Sequence, residues 1–390
     1  MIYLDHAATT PVHPDVLEAM LPYFTEEYGN PSSVYRLAQR NRKAISDARA
    51  VVAKHLGAQP NEIIFTSGGT EADNWALKGM AEALKDKGRH LITTNIEHHA
   101  ILHTCAYLEK HGFDVTYLEV NQDGLITPDQ VEQAIRPETI LISIMYANNE
   151  IGTIMPITEI GAVAKKHNVA FHTDAVQAVG HLPIDVQAQN IDLLSLSGHK
   201  FYGPKGSGAL YIRRGLQLPS FLHGGGQERG RRAGTENVPG IVGLAKAIDL
   251  AYQDLEAKNA KLKALRDYLI DGICERIPYS RLNGHREQRL PNNANFSFEF
   301  IEGESLLLLL DIEGIAASSG SACTSGSLDP SHVLLAIGLP HEQAHGSVRF
   351  TLGADNTKEE IDLVLAKLPS FVERLRAMSP LYEEFVRKNS

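Results

Sequence analysis

The sequence predicts an α/β protein built on a mostly parallel sheet, with a smaller α+β unit attached. Two observations carry this. From about residue 14 to 255, short β-rich runs alternate with helical segments, and apolar strands separated by helices build a parallel sheet covered on both faces. Near residue 256 the texture changes to a long amphipathic helix followed by mixed strand and helix patterns.

In chain order, Glu62–Thr66, His90–Thr94, Val115–Val120, Ile140–Met145, Val169–Thr173 and Leu193–Leu196 read as strands. Each is short, apolar and rich in β-branched residues, as sheet interiors require. Ala38–Leu56, Glu71–Lys87 and Ile157–His167 carry helical periodicity between them. Over Lys258–Arg276, Leu262, Leu265, Leu269, Ile270 and Ile273 recur at helical spacing among charges, suited to a helix that links two units. The remainder (NFSFEF, GESLLLLLD, HGSVRFTLG and a charged last helix) reads as the smaller unit. The expected division is 14–257 for the large unit, and 1–13 with 258–390 for the small one.

Bulk properties exclude several classes. The 390 residues carry a formal charge of −10, which disfavours direct nucleic-acid binding because phosphate contacts need a basic face. The apolar run Leu306–Leu310 is far too short to span a bilayer. MIYLDHAATTP lacks the charged and apolar regions of a secretory signal. Cys105, Cys274 and Cys323 are three and widely spaced, which suits a reducing compartment better than a disulfide framework. The expectation is a cytoplasmic protein with no membrane partner.

The chemistry concentrates in SGHKFYGPKG, residues 197–206. Glycines and a proline hold Lys200 in a tight turn after a strand, the fixed placement a Schiff-base lysine needs. Asp174 ends the strand VAFHT, where a carboxylate can face a pyridinium nitrogen or simply cap a helix. SGGTEA, residues 67–72, follows a strand and opens a helix, so its N–H groups offer a phosphate seat. Lysine, aspartate and phosphate turn together suit pyridoxal phosphate. Glu97, His98, His99, His103 and Cys105 invite a metal reading, but local spacing supplies only His99 and His103 on one helix face, so no metal is expected. The run Glu228–Arg232 is too small a basic patch for nucleic acid; an active-site or interface role is expected instead. Cys105 and Cys274 are expected to be buried small hydrophobes.

Taken in order, LDHAATTP (4–11), YGNPSS (28–33), FTSGGTEADN (65–74), EHHA (97–100), ANNEIG (147–152), HTDAVQ (172–177), SGHKFYGPKG, HGGGQERGRRAGTEN (223–237), SSGSACTSG (318–326) and VRFTLG (348–353) resemble the pyridoxal-phosphate-dependent cysteine desulfurases of the NifS/IscS type. The resemblance runs essentially end to end. It implies the fold type I, aminotransferase-like architecture with a seven-stranded sheet, and a homodimer with active sites at the subunit interface.

The resemblance also implies roles. Lys200 carries pyridoxal 5'-phosphate, Asp174 keeps its ring nitrogen protonated, His98 stacks on the ring and transfers protons, and Gln177 bonds the ring oxygen. Gly69, Thr70, Ser197 and His199 hold the phosphate, with Thr235 reaching over from the second subunit. Asn149 and Arg349 take the carboxylate of L-cysteine, with Asn30 close by; a guanidinium suits a carboxylate because it binds it through two parallel bonds. Cys323 accepts the sulfur as a persulfide, releasing L-alanine, and passes it to an iron–sulfur scaffold or a tRNA-thiolation protein. The alternatives are a selenocysteine lyase, another pyridoxal-phosphate-dependent aminotransferase-like enzyme, or an inactive scaffold. Gly69 stands where many relatives carry alanine, and Ala233 where many carry serine.

Overall fold

The computed structural model describes residues 1–319 and 330–389; Cys323 lies outside the described residues. A seven-stranded sheet runs in the order Ile63–Thr66, Gly208–Ile212, Leu193–Ser197, Ala170–Asp174, Thr139–Ser143, His90–Thr94 and Asp114–Leu118. Neighbours among the last five are parallel, whereas Gly208–Ile212 is antiparallel to both strands beside it. Gly208–Ile212 is absent from the strands read off the sequence, because glycines and the preceding turn mask a run of only five residues.

Side chains alternate between the two faces of this sheet. Ile63, Phe65, Ile142, Phe171, Leu194 and Leu196 join one buried cluster, with Ile241, Leu244 and Ile248 of helix Val238–Tyr252. Ile64, Leu91, Leu141, Leu193 and Leu210 join another, under helices Gly69–Leu84 and His99–Glu109. Helix Gly69–Leu84 is fixed by Trp75, wholly buried, whose indole N–H donates to the Pro219 carbonyl at 2.8 Å. Truncating such a residue costs about 3–5 kcal/mol, so the helix start is firmly placed.

A third cluster fills the C-terminal part. Helices Leu255–Arg276 and Lys358–Ala377 pack Leu269, Ile273, Val364 and Leu368 against the antiparallel sheet Ser347–Thr351, Asn293–Phe298, Ser280–Asn283. The N-terminus joins this part: Ile2–Tyr3 pairs in parallel with Ile315–Ala316, and Leu4 is buried in the same cluster. Leu306 and Leu310 point inward from helix Gly303–Ile312. No helix among the described residues is long and apolar enough to cross a membrane.

One expectation about cysteines is corrected. Cys105 is buried as expected, but Cys274 is exposed: it follows Ile273 on helix Leu255–Arg276 and turns off the apolar stripe.

Candidate active site

Two sheet strands end on residues of interest: Asp174 and Ser197. Ligands of parallel sheets bind beyond such carboxyl ends. A cavity of about 320 Å³ opens there, lined by Gly69, Thr70, His98, Asn149, Asp174, Gln177, Ser197, His199, Lys200 and Arg349. Those ten predicted residues come together from segments up to 280 positions apart (349 − 69). Other, larger cavities lie elsewhere on the surface, but none gathers these side chains.

Lys200 sits on a single 3₁₀ turn, Gly198–Lys200, after strand Leu193–Ser197. Its ammonium donates to the Ala7 and Ala8 carbonyls at 2.7 and 2.8 Å, so the N-terminal segment holds the lysine across the cavity. The same segment holds Gln177, whose amide donates to the Ala7 carbonyl at 3.0 Å. These carbonyls went unnoticed in the sequence, where LDHAATTP gives no local sign of meeting a lysine nearly two hundred residues on.

Asp174 accepts from the Val176 N–H at 2.9 Å. Burial pushes its carboxyl up to about 6, while that bond and the Lys200 charge oppose the rise. His98 caps helix His99–Glu109, its Nδ1 accepting from the Ala100 N–H at 3.1 Å. Burial and then the Lys200 charge lower His98 to about 4, so the ring is neutral at pH 7. With Nδ1 engaged as acceptor, the proton of that neutral ring resides on Nε2. His199 is likewise lowered to about 4, first by burial, and its Nδ1 lies 3.1 Å from Thr9 Oγ1.

The start of helix Gly69–Leu84 has the features an anion needs. Helix Gly69–Leu84 starts without a side-chain cap, so its first N–H groups point at the cavity mouth. The Glu71 carboxylate turns back to the Ser67 N–H at 2.8 Å and pairs with Arg232. A Cβ on Gly69 would stand 2.6 Å from Val176 Cγ2, so glycine here is a packing requirement of this chain.

At the opposite end, Arg349 is 3% exposed. It donates to the Asn149 carbonyl and to Asp5, both at 2.9 Å, and its buried Nε has no hydrogen-bond partner among the described residues. An unused buried N–H beside a cavity fits an incoming carboxylate. Asp5 was missed because a lone aspartate after an N-terminal strand carries no sequence signal. Next to Asn149, Glu150 is buried, pushed up to about 7 by burial, and contacts the Ser331 hydroxyl.

Two predicted residues lie outside the cavity. Asn30 is on an exposed turn, its Oδ1 accepting from the Ser32 N–H at 2.9 Å. Thr235 lines a separate groove with Thr66, Ser67 and Arg232. The nearby Glu228–Arg49 pair is buried and bidentate, and Glu228 also accepts from the Phe65 N–H at 3.0 Å.

His103 stands 5.1 Å from His99 one turn along the same helix, as their spacing implies, and the fold adds His332, whose ring stands 4.9 Å from that of His99. Among the described residues, the only set of three potential metal ligands whose donor atoms lie within 4.8 Å of one another is Asp73, His98 and Asp174. Sequence spacing did not point to Asp73.

Residues 2–364 match the family model for aminotransferase class-V. A cysteine desulfurase IscS of Methanosarcina thermophila is 62% identical over 97% of this chain and 94% of that protein. One of Dictyoglomus turgidum is 55% identical, covering 98% of each. Among solved structures, a NifS-like protein superposes with a TM-score of 0.90 at 40% identity, covering 96% of this chain and all of that one. SspA in complex with cysteine superposes with a TM-score of 0.82 at 43% identity, covering 92% and 100%.

Proposed function

The chain belongs to the class-V aminotransferase family and is a cysteine desulfurase of the NifS/IscS type, and from that premise we propose how its own residues perform the reaction. The observation that carries the reading is the meeting of Lys200, Asp174, His98 and Arg349 in one cavity with an uncapped helix start at its edge. This residue set fits pyridoxal 5'-phosphate: Lys200 to carry it, Asp174 to face its ring nitrogen, Gln177 its ring oxygen. Gly69, Thr70, Ser197 and His199 take its phosphate, joined by Thr235 from a second copy in a homodimer. Bound there, it supplies an electron-withdrawing ring that accepts the negative charge left when a Cα proton departs.

Arg349 and Asn149 orient the carboxylate of L-cysteine, with Asn30 assigned to the same end of the site. Lys200 removes the Cα proton. His98, neutral and holding its proton on Nε2, exchanges protons at the substrate. Cys323, as thiolate, attacks the substrate sulfur. An S–S bond forms and the Cβ–S bond breaks, with its electron pair left on carbon. Protons returned to the carbon skeleton give L-alanine, so Cβ is reduced, the Cys323 sulfur is oxidised to a persulfide, and no outside oxidant is needed. The persulfide then passes to an acceptor protein of iron–sulfur assembly or tRNA thiolation in the cytoplasm. Residues 14–257 form the cofactor-binding unit, and 1–13 with 258–390 the unit that brings Arg349 and Cys323.

The test pairs one variant with a selenium competition. Cys323→Ser is expected to bind the cofactor but release no sulfide from L-cysteine in the presence of a thiol. Wild-type turnover by that variant would contradict the nucleophile assignment, and a large preference for selenocysteine would favour a selenocysteine lyase.

A further inference from the structure

Asp73 is a buried acid the reaction scheme leaves unused. It lies on the first turns of helix Gly69–Leu84, is 1% exposed, and borders the cavity. One of its carboxylate oxygens is within 4.8 Å of an Asp174 oxygen and of a His98 nitrogen. Its Oδ1 has no hydrogen-bond partner.

Among the described residues, the groups around it leave no cation to balance a second negative charge. His172, from strand Ala170–Asp174, stands 3.7 Å away, too far for a hydrogen bond. It is also neutral, since burial lowers it to about 3. Its ring is held between the hydroxyls of Ser143 at 2.8 Å and Ser195 at 3.0 Å. From the strand on the other side, Ser195 supports the Asp73 carboxyl, and Glu97 adds a further acid. His98 is neutral, and Lys200 acts on Asp174. Two buried carboxyls this close do not both ionise; they hold one proton between them and titrate as a pair. Asp174 has the Val176 N–H and the Lys200 charge to support its ionised form. Asp73 has only the Ser195 hydroxyl against burial and the Asp174 charge, which drive its carboxyl well above the ordinary range.

We propose that Asp73 is a positioning residue, a carboxylic acid held neutral beside Asp174, so that the pair carries a single charge, on Asp174, facing the cofactor's ring nitrogen. This rests on the reading of the cavity as a pyridoxal-phosphate site. Asp73 acts through Asp174 and touches no reacting atom.

The experiment uses infrared spectroscopy of the wild-type apoprotein at pH 7 with carboxyl-labelled [13C]aspartate. The label separates an aspartic acid from Glu97, which burial also pushes up, to about 8. An isotope-shifted protonated-carboxyl band is expected, and it disappears in Asp73→Asn. Absence of the band in wild type, or its persistence in Asp73→Asn, overturns the proposal. Cofactor titrations add a second readout. Asp73→Asn, neutral and still polar, is expected to half-saturate with pyridoxal phosphate within about threefold of wild type, whereas Asp73→Leu, which removes the polar group that Ser195 supports beside Asp174, weakens binding about tenfold or more. Equal binding by the Leu variant overturns the positioning role. If wild type binds no pyridoxal phosphate while the aspartic-acid band is present, the cofactor reading falls and the neutral acid at Asp73 stands.

Discussion

Replacing Arg349 by lysine separates charge from geometry at the substrate end of the cavity. The guanidinium serves three directions: Asn149 carbonyl and Asp5 at 2.9 Å each, and a free Nε. Lysine keeps the charge but lacks the planar fork, so it loses the spaced donors that serve Asp5 and the Asn149 carbonyl while leaving an N–H for an incoming carboxylate. Each hydrogen bond to a charged group contributes about 1.5–3 kcal/mol. Losing one lowers folding stability by that order, a loss the 3% exposure of Arg349 does not let water repair. Losing the second bond to the substrate carboxylate costs about the same, which raises KM for L-cysteine by about tenfold to a hundredfold. Steady-state alanine release measures KM, and thermal unfolding followed by circular dichroism measures stability. A variant with wild-type KM would refute the carboxylate role of Arg349, and one with lower stability alone would reduce it to a structural tie between Asp5 and Asn149.

Other consequences follow from the same geometry. Lys200→Ala is expected to lose the visible absorption that borohydride abolishes in the holoenzyme; a variant that keeps it would remove Lys200 from the cofactor site. Gly69→Ala drives a Cβ toward Val176 Cγ2 at 2.6 Å and should weaken cofactor binding, whereas Gly69→Ala with Val176→Ala restores it; a double variant as weak as the single one would contradict the packing argument. Burial raises Glu97 from 4.5 to about 8, so across that window the folded chain holds a proton the unfolded chain has released, and stability from this group falls as pH rises. The stability difference between Glu97→Gln and wild type, from urea midpoints, should therefore shift in favour of the variant as pH rises through that window; a constant difference would show that Glu97 is ionised in the fold. Glu228→Gln strands Arg49 in a buried pair whose side chains are 4% and 11% exposed, and should cost about 3–5 kcal/mol of stability, read by denaturant unfolding.

What the sequence made legible was local. His90–Thr94 has the same bounds in the structure as in the sequence reading, because an apolar run between a charged turn and a capped helix leaves little choice. The turn around Lys200 could be read because glycine and proline announce it. Asp174 was readable as a strand-end acid, but choosing between a helix cap and a ring partner needed the cavity. The residues missed act across long separations: Ala7 and Ala8 reach Lys200, Asp5 reaches Arg349, Asp73 approaches Asp174, and His332 joins His99. None has periodicity or spacing to announce it, since each becomes chemically meaningful only when another segment removes its water. Cys274 went astray because helical periodicity is about one hundred degrees per residue, so a cysteine one step past a buried isoleucine already faces solvent.

The central claim, that Cys323 takes the sulfur of L-cysteine, is tested most directly by trapping. Holoenzyme is mixed with about one equivalent of L-cysteine per site, alkylated at once, and digested for mass spectrometry, with alanine measured in the supernatant. The account predicts one extra sulfur on the peptide bearing Cys323 and an equal amount of alanine. Extra sulfur on the peptide of exposed Cys274 instead, or alanine without any protein persulfide, would contradict it.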